Sequence, residues 1–370
     1  MGLYGKGFYI WQIPKCDGGD PAKIAARAQA AGLSHVLIKI ADGPAWAYNY
    51  DYDRQVDLIP PVAWALKNVG VEVWGWHYVL GDNPVDEARL AVERMKALGL
   101  DGYAIDAEGE YRTMKKAPAA QEYMDVLRAG LGDTPIALSS YRFPKYHLDF
   151  PFDSFLKKCD YAMPQVYFME AHNPAEQLER SVEQYMALNY ARPVIPTAPA
   201  YASPTWRPTP AELKTFFQKA KDLKLTAANA WSWDYSTQKE YLDLWDAIAD
   251  FEWNPSPPVA DMPERLIGRL NQRDPVFVAG LYNKNAAHVT GDRTIVSRTA
   301  IQEWYTTFLV EMLPDAQFQV TSKRGTGSSR HFTWTAESKA GKVLDGNDTL
   351  GILDGRIQYH YSYFTVQPAA

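Results

Sequence analysis

The chain has 370 residues, of which 46% are hydrophobic and 22% are charged, and its formal net charge is −6. This length predicts two domains, and the composition excludes a disordered or fibrous chain. Because no basic residues cluster on one face and no apolar run approaches the roughly 18 residues of a membrane span, we expect neither a nucleic-acid partner nor a membrane segment.

The N-terminus and the cysteines bear on the compartment of the protein. The opening residues lack the charged and apolar regions of a secretory signal, so we expect a cytoplasmic protein unless a leader has been removed. Cys16 and Cys159 lie far apart and match no metal-ligand spacing, which favours two unpaired thiols over a disulfide.

Residues 1–252 alternate short apolar runs with amphipathic helical stretches. Helical spacing is evident over Pro21–Ala31 and Pro84–Leu98, and Gly32, Gly70 and Gly99 follow helices where a left-handed C-cap is needed. The predicted strands are Phe8–Ile13, His35–Asp42, Glu72–Leu80, Gly102–Glu108, Pro135–Tyr141, Tyr161–Phe168, Arg192–Tyr201 and Ala227–Tyr235. Eight such repeats predict an α/β TIM barrel, (β/α)8, over a doubly wound open sheet, because no Gly-rich phosphate loop follows the first strand.

A proline-rich stretch then interrupts the pattern. Asn254–Val259 contains three prolines, which predicts a stiff linker over residues 253–262. In residues 263–370 the order is different, with helices first and strands afterwards, typical of an α+β domain with an antiparallel sheet. The predicted helices are Glu264–Leu270 and Arg298–Leu313, and the predicted strands are Gln317–Lys323, Arg330–Ser338, Asp348–Leu353 and Arg356–Val366. Asp354-Gly355 predicts a tight hairpin between the last two strands.

The fourth strand of the predicted barrel carries two acids on one face. With a period of two, Ala104, Asp106 and Glu108 share a face that points into the barrel, at the end where such barrels carry their chemistry. Like charges this close raise one pKa, so we expect Glu108 to retain a proton that it can donate. The alternative is that both acids form ion pairs with Lys39 or Arg142 and only stabilise the barrel.

This strand resembles the signature Asp-x-x-Asp-x-Asp-x-Glu of the chitinase and endo-N-acetylglucosaminidase family of glycoside hydrolases. Asp101 matches the first acid, Asp106 the third and Glu108 the glutamate, whereas Ala104 stands in place of the middle aspartate. The resemblance implies a substrate-assisted reaction in which Glu108 protonates the glycosidic oxygen. Asp106 and Tyr167 would then hold the acetamido group of the substrate, which acts as the internal nucleophile.

Other strands add residues to the resemblance. Met163-Pro164-Gln165-Val166-Tyr167 resembles the sixth strand of that family, and Trp231-Ser232-Trp233-Asp234 resembles its closing tryptophan strand. A strand-two lysine, Trp76-His77-Tyr78 and the acid pair also resemble lysozyme-like muramidase barrels. The substrate-binding residues so implied, with Tyr141 at the end of strand five, are Gln165, Trp231, Asp234, Trp76, His77, Tyr78, Lys39 and Tyr141.

Weaker candidates remain open. Asp106, Glu108, Asp234 and His77 are candidate ligands for a divalent cation, but no helical His-x-x-x-His or cysteine pair supports a metal site. No cofactor is expected, because the chain has no Walker loop. Glu110 is a candidate for the cleft or a solvated loop acid. Four tryptophans are candidates for the cleft or the core: Trp11, Trp46, Trp74 and Trp206.

The tail resembles the SnoaL-like branch of the nuclear-transport-factor-2-like (NTF2-like) superfamily. The residues that carry the resemblance are Met312–Ala316, Phe332–Trp334, Lys342–Asp348 and Leu353–Ile357. It implies a cone with an apolar pocket, and pairing of two copies as a homodimer through the sheet. Candidates for the interior of that cone are His288, His331, Asp348 and Tyr361.

Three functions follow as hypotheses. The first is a glycosidase with a carbohydrate substrate containing N-acetylhexosamine. The second is a non-catalytic glycan-binding protein that has kept the cleft. The third places cyclase or isomerase chemistry in the cone domain.

Overall fold

A computed structural model describes residues 3–112, 116–253, 261–325, 328–353 and 356–368. The chain divides into two compact units, Met1–Ser256 and Pro257–Ala370. Most of the predicted linker, residues 254–260, and the predicted hairpin turn at Asp354 and Gly355 lie outside the described residues. Among the described residues, no helix is long and apolar enough to cross a membrane.

Eight parallel strands form a closed barrel in the first unit. They are β1 Gly5–Ile10, β2 His35–Asp42, β3 Glu72–Val79, β4 Gly102–Ala107, β5 Ile136–Tyr141, β6 Tyr161–Gln165, β7 Thr197–Pro199 and β8 Ala227–Trp231. Each strand pairs with the next in the chain, and β8 pairs with β1, which closes the sheet. The predicted (β/α)8 barrel is therefore confirmed.

Helices alternate with these strands. They are α1 Pro21–Ala30, α2 Ile59–Asn68, α3 Pro84–Leu98, α4 Lys116–Leu131, α5 Phe152–Leu156, α6 Pro174–Met186, α7 Pro210–Asp222 and α8 Leu242–Ala249. Their ends follow local chemistry: Asp20 caps α1 through its side chain, and Thr209 and Glu212 form a capping box on α7. Gly32 and Gly99 follow α1 and α3 with φ of 60° and 57°, as predicted for C-caps.

Two barrel strands are shorter than the sequence pattern predicts. β7 covers Thr197–Pro199 instead of Arg192–Tyr201, because Pro193 and Pro196 have no N–H group to donate to a neighbouring strand. β8 ends at Trp231, and the next residues form a helical turn, Trp233–Ser236. Asp234 therefore lies on a helix and not on the strand.

The side chains of β4 alternate between two cores. Tyr103, Ile105 and Ala107 pack in the layer between strands and helices, whereas Ala104 packs in the barrel interior. The interior cluster also contains Tyr9, Leu37, Trp74, Trp76, Ala137, Met163, Ile195 and Ala227. The predicted inward direction of the Ala104–Asp106 face is confirmed.

The second unit is built on one mixed sheet with helices. The strands are β9 Tyr282–Val289, β10 Thr294–Val296, β11 Gln317–Arg324, β12 Ser329–Ser338, β13 Gly341–Leu353, β14 Arg356–Tyr363 and β15 Gln367–Pro368. The helices are α9 Met262–Asn271, α10 Pro275–Gly280 and α11 Arg298–Thr307, and a π-helical turn at Phe308–Met312 extends α11. The strand order is β10-β9-β14-β13-β12-β11, with β15 against β13.

The predicted order of helices before strands is wrong in one respect. The strand β9 precedes α11 and pairs in parallel with β14, at the far end of the unit. Its residues, Tyr-Asn-Lys-Asn-Ala-Ala-His-Val, do not alternate strictly between apolar and polar, so the periodicity carries a weak strand signal. The remaining predicted helices and strands of this unit are present with shifted ends.

Candidate active site

The acid pair lies at the C-terminal end of β4. Asp106 is on the strand and is buried, whereas Glu108 follows the strand and is only half-buried. After Glu108 the chain turns into a 3₁₀ helix, Gly109–Tyr111. This break leaves the Glu108 carboxylate at the rim of the barrel and the Asp106 carboxylate beneath it.

One amide joins the two acids. Gln165 Nε2 donates hydrogen bonds to Asp106 Oδ1 at 2.9 Å and to Glu108 Oε1 at 2.8 Å. Gln165 is the last residue of β6 and shares the inward face of that strand with Met163. Both N–H groups of the amide are therefore committed to carboxylates, and both acids lie within hydrogen-bond reach of one nitrogen.

The electrostatics of the pair differ from the sequence-based expectation. Burial, and then the neighbouring Glu108, raise the pKa of the Asp106 carboxyl well above its usual range, and Lys39, Ser139 and Gln165 oppose the shift. The sequence alone predicts a raised pKa at Glu108. In the structure the raised pKa belongs to Asp106, because Asp106 is the buried acid of the pair. The pair therefore retains a proton at a pH where a solvated aspartate would have lost it.

Tyrosines surround the acid pair. The Tyr9 hydroxyl lies 3.5 Å from Met163 Sδ, and the ring of Tyr167 packs edge-on against Tyr201 at 5.6 Å. Burial, and then the charge of Asp106, raise the pKa of both Tyr9 and Tyr167, so both stay protonated and able to donate. For Tyr201, burial and the charge of Glu108 raise the pKa.

The structure does not contain the predicted alternative ion pairs, in which Lys39 or Arg142 would bind the two acids. Lys39 Nζ forms its ion pair with Asp42 Oδ2, at 2.5 Å, and lies over the rings of Tyr48 and Trp76 at 4.3 and 4.8 Å. Arg142 has no ion pair among the described residues. Lys39 still acts at a distance, because its charge lowers the pKa of Asp106.

Indole rings form an aromatic wall on the β8 and β1 side of the barrel, to which Trp76 extends from β3. Trp231, half-buried at the end of β8, contacts Tyr9 at 5.7 Å, Trp76 at 5.3 Å and Trp11 at 6.3 Å between ring centroids. Trp76 is fixed by its Nε1, which donates to Ile10 O at 3.0 Å. Trp11 is 40% exposed, so this cluster presents an aromatic face to solvent at the mouth.

Two further predicted residues lie at the rim. The Tyr78 hydroxyl donates to Glu110 Oε2 at 2.8 Å, which brings the loop acid Glu110 to the β3 edge of the mouth. Tyr141, at the end of β5, stacks on His147 with centroids 3.7 Å apart. Burial and then Glu108 raise the pKa of the Tyr141 hydroxyl, in agreement with its position beside the acid pair.

Several predicted residues are not brought to the acid pair. His77 points to the helix layer, where Nε2 contacts Gly43 O at 2.8 Å and Nδ1 contacts the Tyr103 hydroxyl at 3.1 Å. Its expected substrate contact is corrected, because strand alternation puts it on the opposite face from Trp76 and Tyr78. Asp234 is buried and accepts from Trp11 N at 3.0 Å, so it orients the backbone of the wall.

Four further candidates from the sequence, Asp101 and three tryptophans, take the following places in the barrel unit. Asp101 accepts from Lys67 Nζ and from Val73 N, both at 2.7 Å, at the N-terminal end of β4. Trp74 is buried in the barrel interior, and Trp206 is buried in the outer core. Trp46 is 56% exposed on a short strand, Trp46–Ala47, that pairs with the end of β2.

Sequence reasoning missed Tyr9, Ser139 and Tyr201 as neighbours of the pair. Tyr9 and Ser139 are inward residues near the ends of β1 and β5, so strand alternation is a signal that could have found them. Tyr201 follows the shortened strand β7, where three prolines obscure the periodicity. Cys16 and Cys159 are both free and buried, which confirms the unpaired assignment.

In the second unit, Asp348 is the centre of a buried hydrogen-bond network. Its Oδ1 accepts from Trp334 Nε1 at 2.9 Å and from Ser362 Oγ at 2.7 Å, and its Oδ2 contacts His360 Nε2 at 2.8 Å. The other ring nitrogen of His360 contacts the Tyr282 hydroxyl at 2.6 Å. The chain of polar contacts continues to the Tyr305 hydroxyl, 2.7 Å from that of Tyr282.

His288 adjoins this network without joining it. Its ring stacks in parallel on His360, with centroids 4.2 Å apart, and it is fully buried, yet neither ring nitrogen has a partner within the described part of the chain. His331 and Tyr361 are different: they lie across Thr349 on the other face of the sheet, and Tyr361 is 39% exposed. The predicted interior position therefore holds for His288 and Asp348 but not for His331 and Tyr361.

Over the described ranges, no group of three or more His, Cys, Asp or Glu side chains could hold a metal ion. No protein-family model matches the chain, and no curated protein matches it either.

Three solved structures with some likeness to the chain each cover less than a third of it. An NTF2-like protein of unknown function from Cytophaga hutchinsonii is 11% identical, with a TM-score of 0.25, and the match covers 28% of this chain and 88% of that chain. A protein with a ketosteroid isomerase-like fold from Catenulispora acidiphila is 13% identical, with a TM-score of 0.26 and coverage of 29% and 86%. An LEH-like epoxide hydrolase from M. tuberculosis is 14% identical, with a TM-score of 0.25 and coverage of 28% and 79%.

Proposed function

We propose that the barrel is a glycoside hydrolase acting on glycans that contain N-acetylhexosamine. The observation that carries the proposal is the acid pair, whose two members share the Gln165 amide at 2.9 and 2.8 Å. Cleavage of a glycosidic bond needs a proton donor for the leaving oxygen and stabilisation of positive charge at the anomeric carbon. Two neighbouring carboxyls in different environments meet both needs.

The exposure of each acid assigns its role. Glu108 is half-buried at the rim, so it protonates the glycosidic oxygen as the bond to the anomeric carbon breaks. The acetamido oxygen of the substrate forms the new bond to that carbon. Asp106, beneath Glu108, accepts a hydrogen bond from the acetamido N–H, while the protonated Tyr167 hydroxyl donates to the acetamido oxygen. Water then opens the cyclic intermediate and gives a proton back to Glu108.

The raised pKa of Asp106 bears on this division. Burial and Glu108 both oppose ionisation of Asp106, so the pair retains a proton at a pH where a solvated aspartate would have lost it. The shift favours that proton on Asp106 in the free protein, and the proposed reaction therefore requires its transfer to Glu108 on substrate binding, which leaves Asp106 as the anion that the acetamido N–H requires. Gln165 supplies a neutral donor between Asp106 and Glu108, whereas Ala104 leaves this chain without a carboxyl group at the position of the resembled family's middle aspartate.

The aromatic wall supports a sugar as substrate. Trp231, half-buried at the end of β8, and Trp11, which is 40% exposed, bring ring faces to the mouth, and the buried rings of Trp76 and Tyr9 pack behind Trp231 and hold it in place. Flat apolar rings of this kind pack against the C–H faces of pyranose rings and leave the hydroxyls free for polar contacts. Tyr78, bonded to Glu110, and Tyr141 add hydroxyl groups at the rim.

The test is hydrolysis of aryl N-acetylglucosaminides and chitooligosaccharides by the parent protein and by Glu108→Gln. We expect the substitution to lower kcat by about 10²–10⁴-fold, the usual contribution of a general acid, with binding retained. The matched control is Glu122→Gln, which changes an exposed acid on the helix α4, outside the site. Glycan binding without turnover in the parent protein would favour the non-catalytic alternative and would contradict the proposal.

The same kind of argument supports a second candidate function in residues 263–370. We propose that this unit is a SnoaL-like domain of the NTF2-like superfamily and binds a small aromatic or alicyclic molecule with one hydrogen-bonding group. The observation is His288, a buried imidazole whose two nitrogens have no partner among the residues that the structure describes, beside Trp304 at 4.5 Å between ring centroids. A buried polar group without a partner costs about 1–3 kcal/mol, which a ligand group can recover.

Tryptophan fluorescence tests this second function, because Trp304 contacts His288. Titration of the full chain with cyclic ketones and phenols is expected to change the emission, and His288→Phe is expected to remove the change. Equal responses of the parent and the variant to every compound would reject a site at His288.

A further inference from the structure

The arginines of the barrel unit fall into three groups. Most form ion pairs with carboxylates, and these are Arg27, Arg54, Arg89, Arg94, Arg112, Arg128 and Arg207. Arg192 donates to backbone carbonyls, including Leu156 O at 2.9 Å and Cys159 O at 2.6 Å. Arg142 and Arg180 have no carboxylate partner among the described residues, although the chain as a whole carries a net charge of −6.

Arg142 is half-buried at the mouth. It follows Tyr141 at the end of β5, and its guanidinium donates to Tyr167 O and lies 5.0 Å from the centroid of the Phe143 ring. Arg142 and Glu108 act on the same tyrosine: burial and Glu108 raise the pKa of Tyr201, and Arg142 lowers it. Arg142 therefore lies next to the tyrosines that surround Asp106 and Glu108.

Arg180 brings a second positive charge to the same aromatic ring. Its guanidinium lies 4.5 Å from the centroid of Phe143 and 4.9 Å from that of Tyr146, whose hydroxyl accepts from it. The two charges oppose each other, since burial and then Arg180 lower the pKa of Arg142. A bound anion would relieve the repulsion between the two guanidiniums.

We infer that Arg142 and Arg180 form an anion subsite beside the acid pair, and that the glycan cleaved there carries a carboxylate on the sugar next to its N-acetylhexosamine. This inference rests on the proposed glycosidase function. A guanidinium presents a planar fork of N–H donors that matches a carboxylate, so the subsite favours a hexuronic acid over a neutral sugar. The net charge of −6 repels such a chain, which gives the arginine pair a role in orienting it.

The alternative role of the two arginines is to stabilise the barrel, because Arg142 donates to the backbone oxygen of Tyr167 in the loop after β6. Arg180 distinguishes the two roles, because it is exposed and its only hydrogen bond in the described residues is to a tyrosine hydroxyl. Loss of its charge removes no backbone contact. A change in substrate preference on substitution of Arg180 therefore reports on the ligand and not on folding.

The experiment compares two sets of oligosaccharides of equal length. One alternates N-acetylglucosamine with glucuronic acid, and the other is a chitooligosaccharide. The ratio of kcat/KM for the acidic set to that for the neutral set is measured for the parent, Arg142→Gln, Arg142→Lys and Arg180→Gln. Arg89→Gln, at an exposed arginine on α3, is the matched control for the change in net charge.

We expect the parent to prefer the acidic set and Arg142→Gln and Arg180→Gln each to lower the ratio by about tenfold, as for loss of one charge-assisted contact. Arg142→Lys retains part of the preference, and Arg89→Gln retains all of it. Equal ratios in every protein, with both sets hydrolysed, would overturn the inference and leave the proposed function standing.

Binding separates the two claims where there is no turnover. Calorimetry with the acidic oligosaccharide and the parent protein is expected to give an affinity that falls on Arg180→Gln and with rising salt. Such binding without hydrolysis of either set would contradict the glycosidase and support the anion subsite. No binding and no hydrolysis would overturn both.

Discussion

Replacement of Gln165 by leucine removes the amide that joins the acid pair while keeping a side chain of similar size. Two hydrogen bonds to carboxylates are lost, of 2.9 and 2.8 Å. Glu108 is half-buried and can recover its partner from water, whereas the buried Asp106 cannot. The Gln165 hydrogen bond lowers the pKa of Asp106, so its loss raises that pKa further.

The magnitude follows from the buried contact. A hydrogen bond to a charged group contributes about 1.5–3 kcal/mol, so we expect Gln165→Leu to lower the free energy of unfolding by about 2–3 kcal/mol at pH 8. The sign of the pH dependence is set by the raised folded-state pKa of Asp106: ionisation destabilises the fold as pH rises from the unfolded value of about 3.9. The loss is therefore largest at high pH and smallest near pH 4, where Asp106 is protonated.

Urea denaturation at pH 4 and pH 8 measures both quantities. The matched control is Gln177→Leu, because Gln177 is also half-buried but donates to a neutral partner, Asn173 Oδ1 at 3.1 Å. Its effect on stability is expected to be independent of pH. If Gln165→Leu destabilised the protein equally at both pH values, the claim that its amide stabilises the ionised form of Asp106 would be refuted.

Three further predictions concern stability. His77 is buried and its pKa is lowered to about 4, so acidification from pH 6.5 through 4 is expected to lower the free energy of unfolding by about 3 kcal/mol. Urea denaturation of the parent and of His77→Gln over this pH range measures the effect. An unchanged pH dependence in the variant would contradict the prediction. His288→Phe removes two unpartnered buried nitrogens and is expected to stabilise the protein by about 1–2 kcal/mol in a thermal melt; a lower Tm would contradict this. Gly81→Ala places a Cβ 2.5 Å from the Tyr111 ring at a φ of +71°, and should lower Tm more than Gly70→Ala, where φ is +85° and no atom lies within 4 Å.

Much of the barrel follows from local pattern. The predicted strand His35–Asp42 matches β2 at both ends, and α3 matches Pro84–Leu98, because a buried strand and an amphipathic helix each leave a clear period in sequence. Alternation on β4 also correctly separates the interior Ala104 from the outward Tyr103 and Ile105. These features depend only on neighbours along the chain.

The site depends on contacts that pattern does not contain. Gln165 reaches both acids because of the register of β6 against β5 and β7. Asp106 has the raised pKa because it is buried beneath Glu108. The sequence does not show that Arg142 and Arg180 lack a carboxylate partner among the described residues. This becomes evident only when the contacts of the other arginines in the barrel unit are known. The strand β9 is not predicted either, because it is stabilised by pairing with β14, which is about 70 residues away in the chain.

Hydrolysis of two matched aryl glycosides tests the central claim most directly. One carries a 2-acetamido group on the sugar next to the aryl leaving group, and the other carries a 2-hydroxyl there. If Asp106 and Glu108 act with the acetamido group of the substrate, the parent protein cleaves the first and leaves the second intact. Cleavage of both at equal rates, or of neither, would contradict the account.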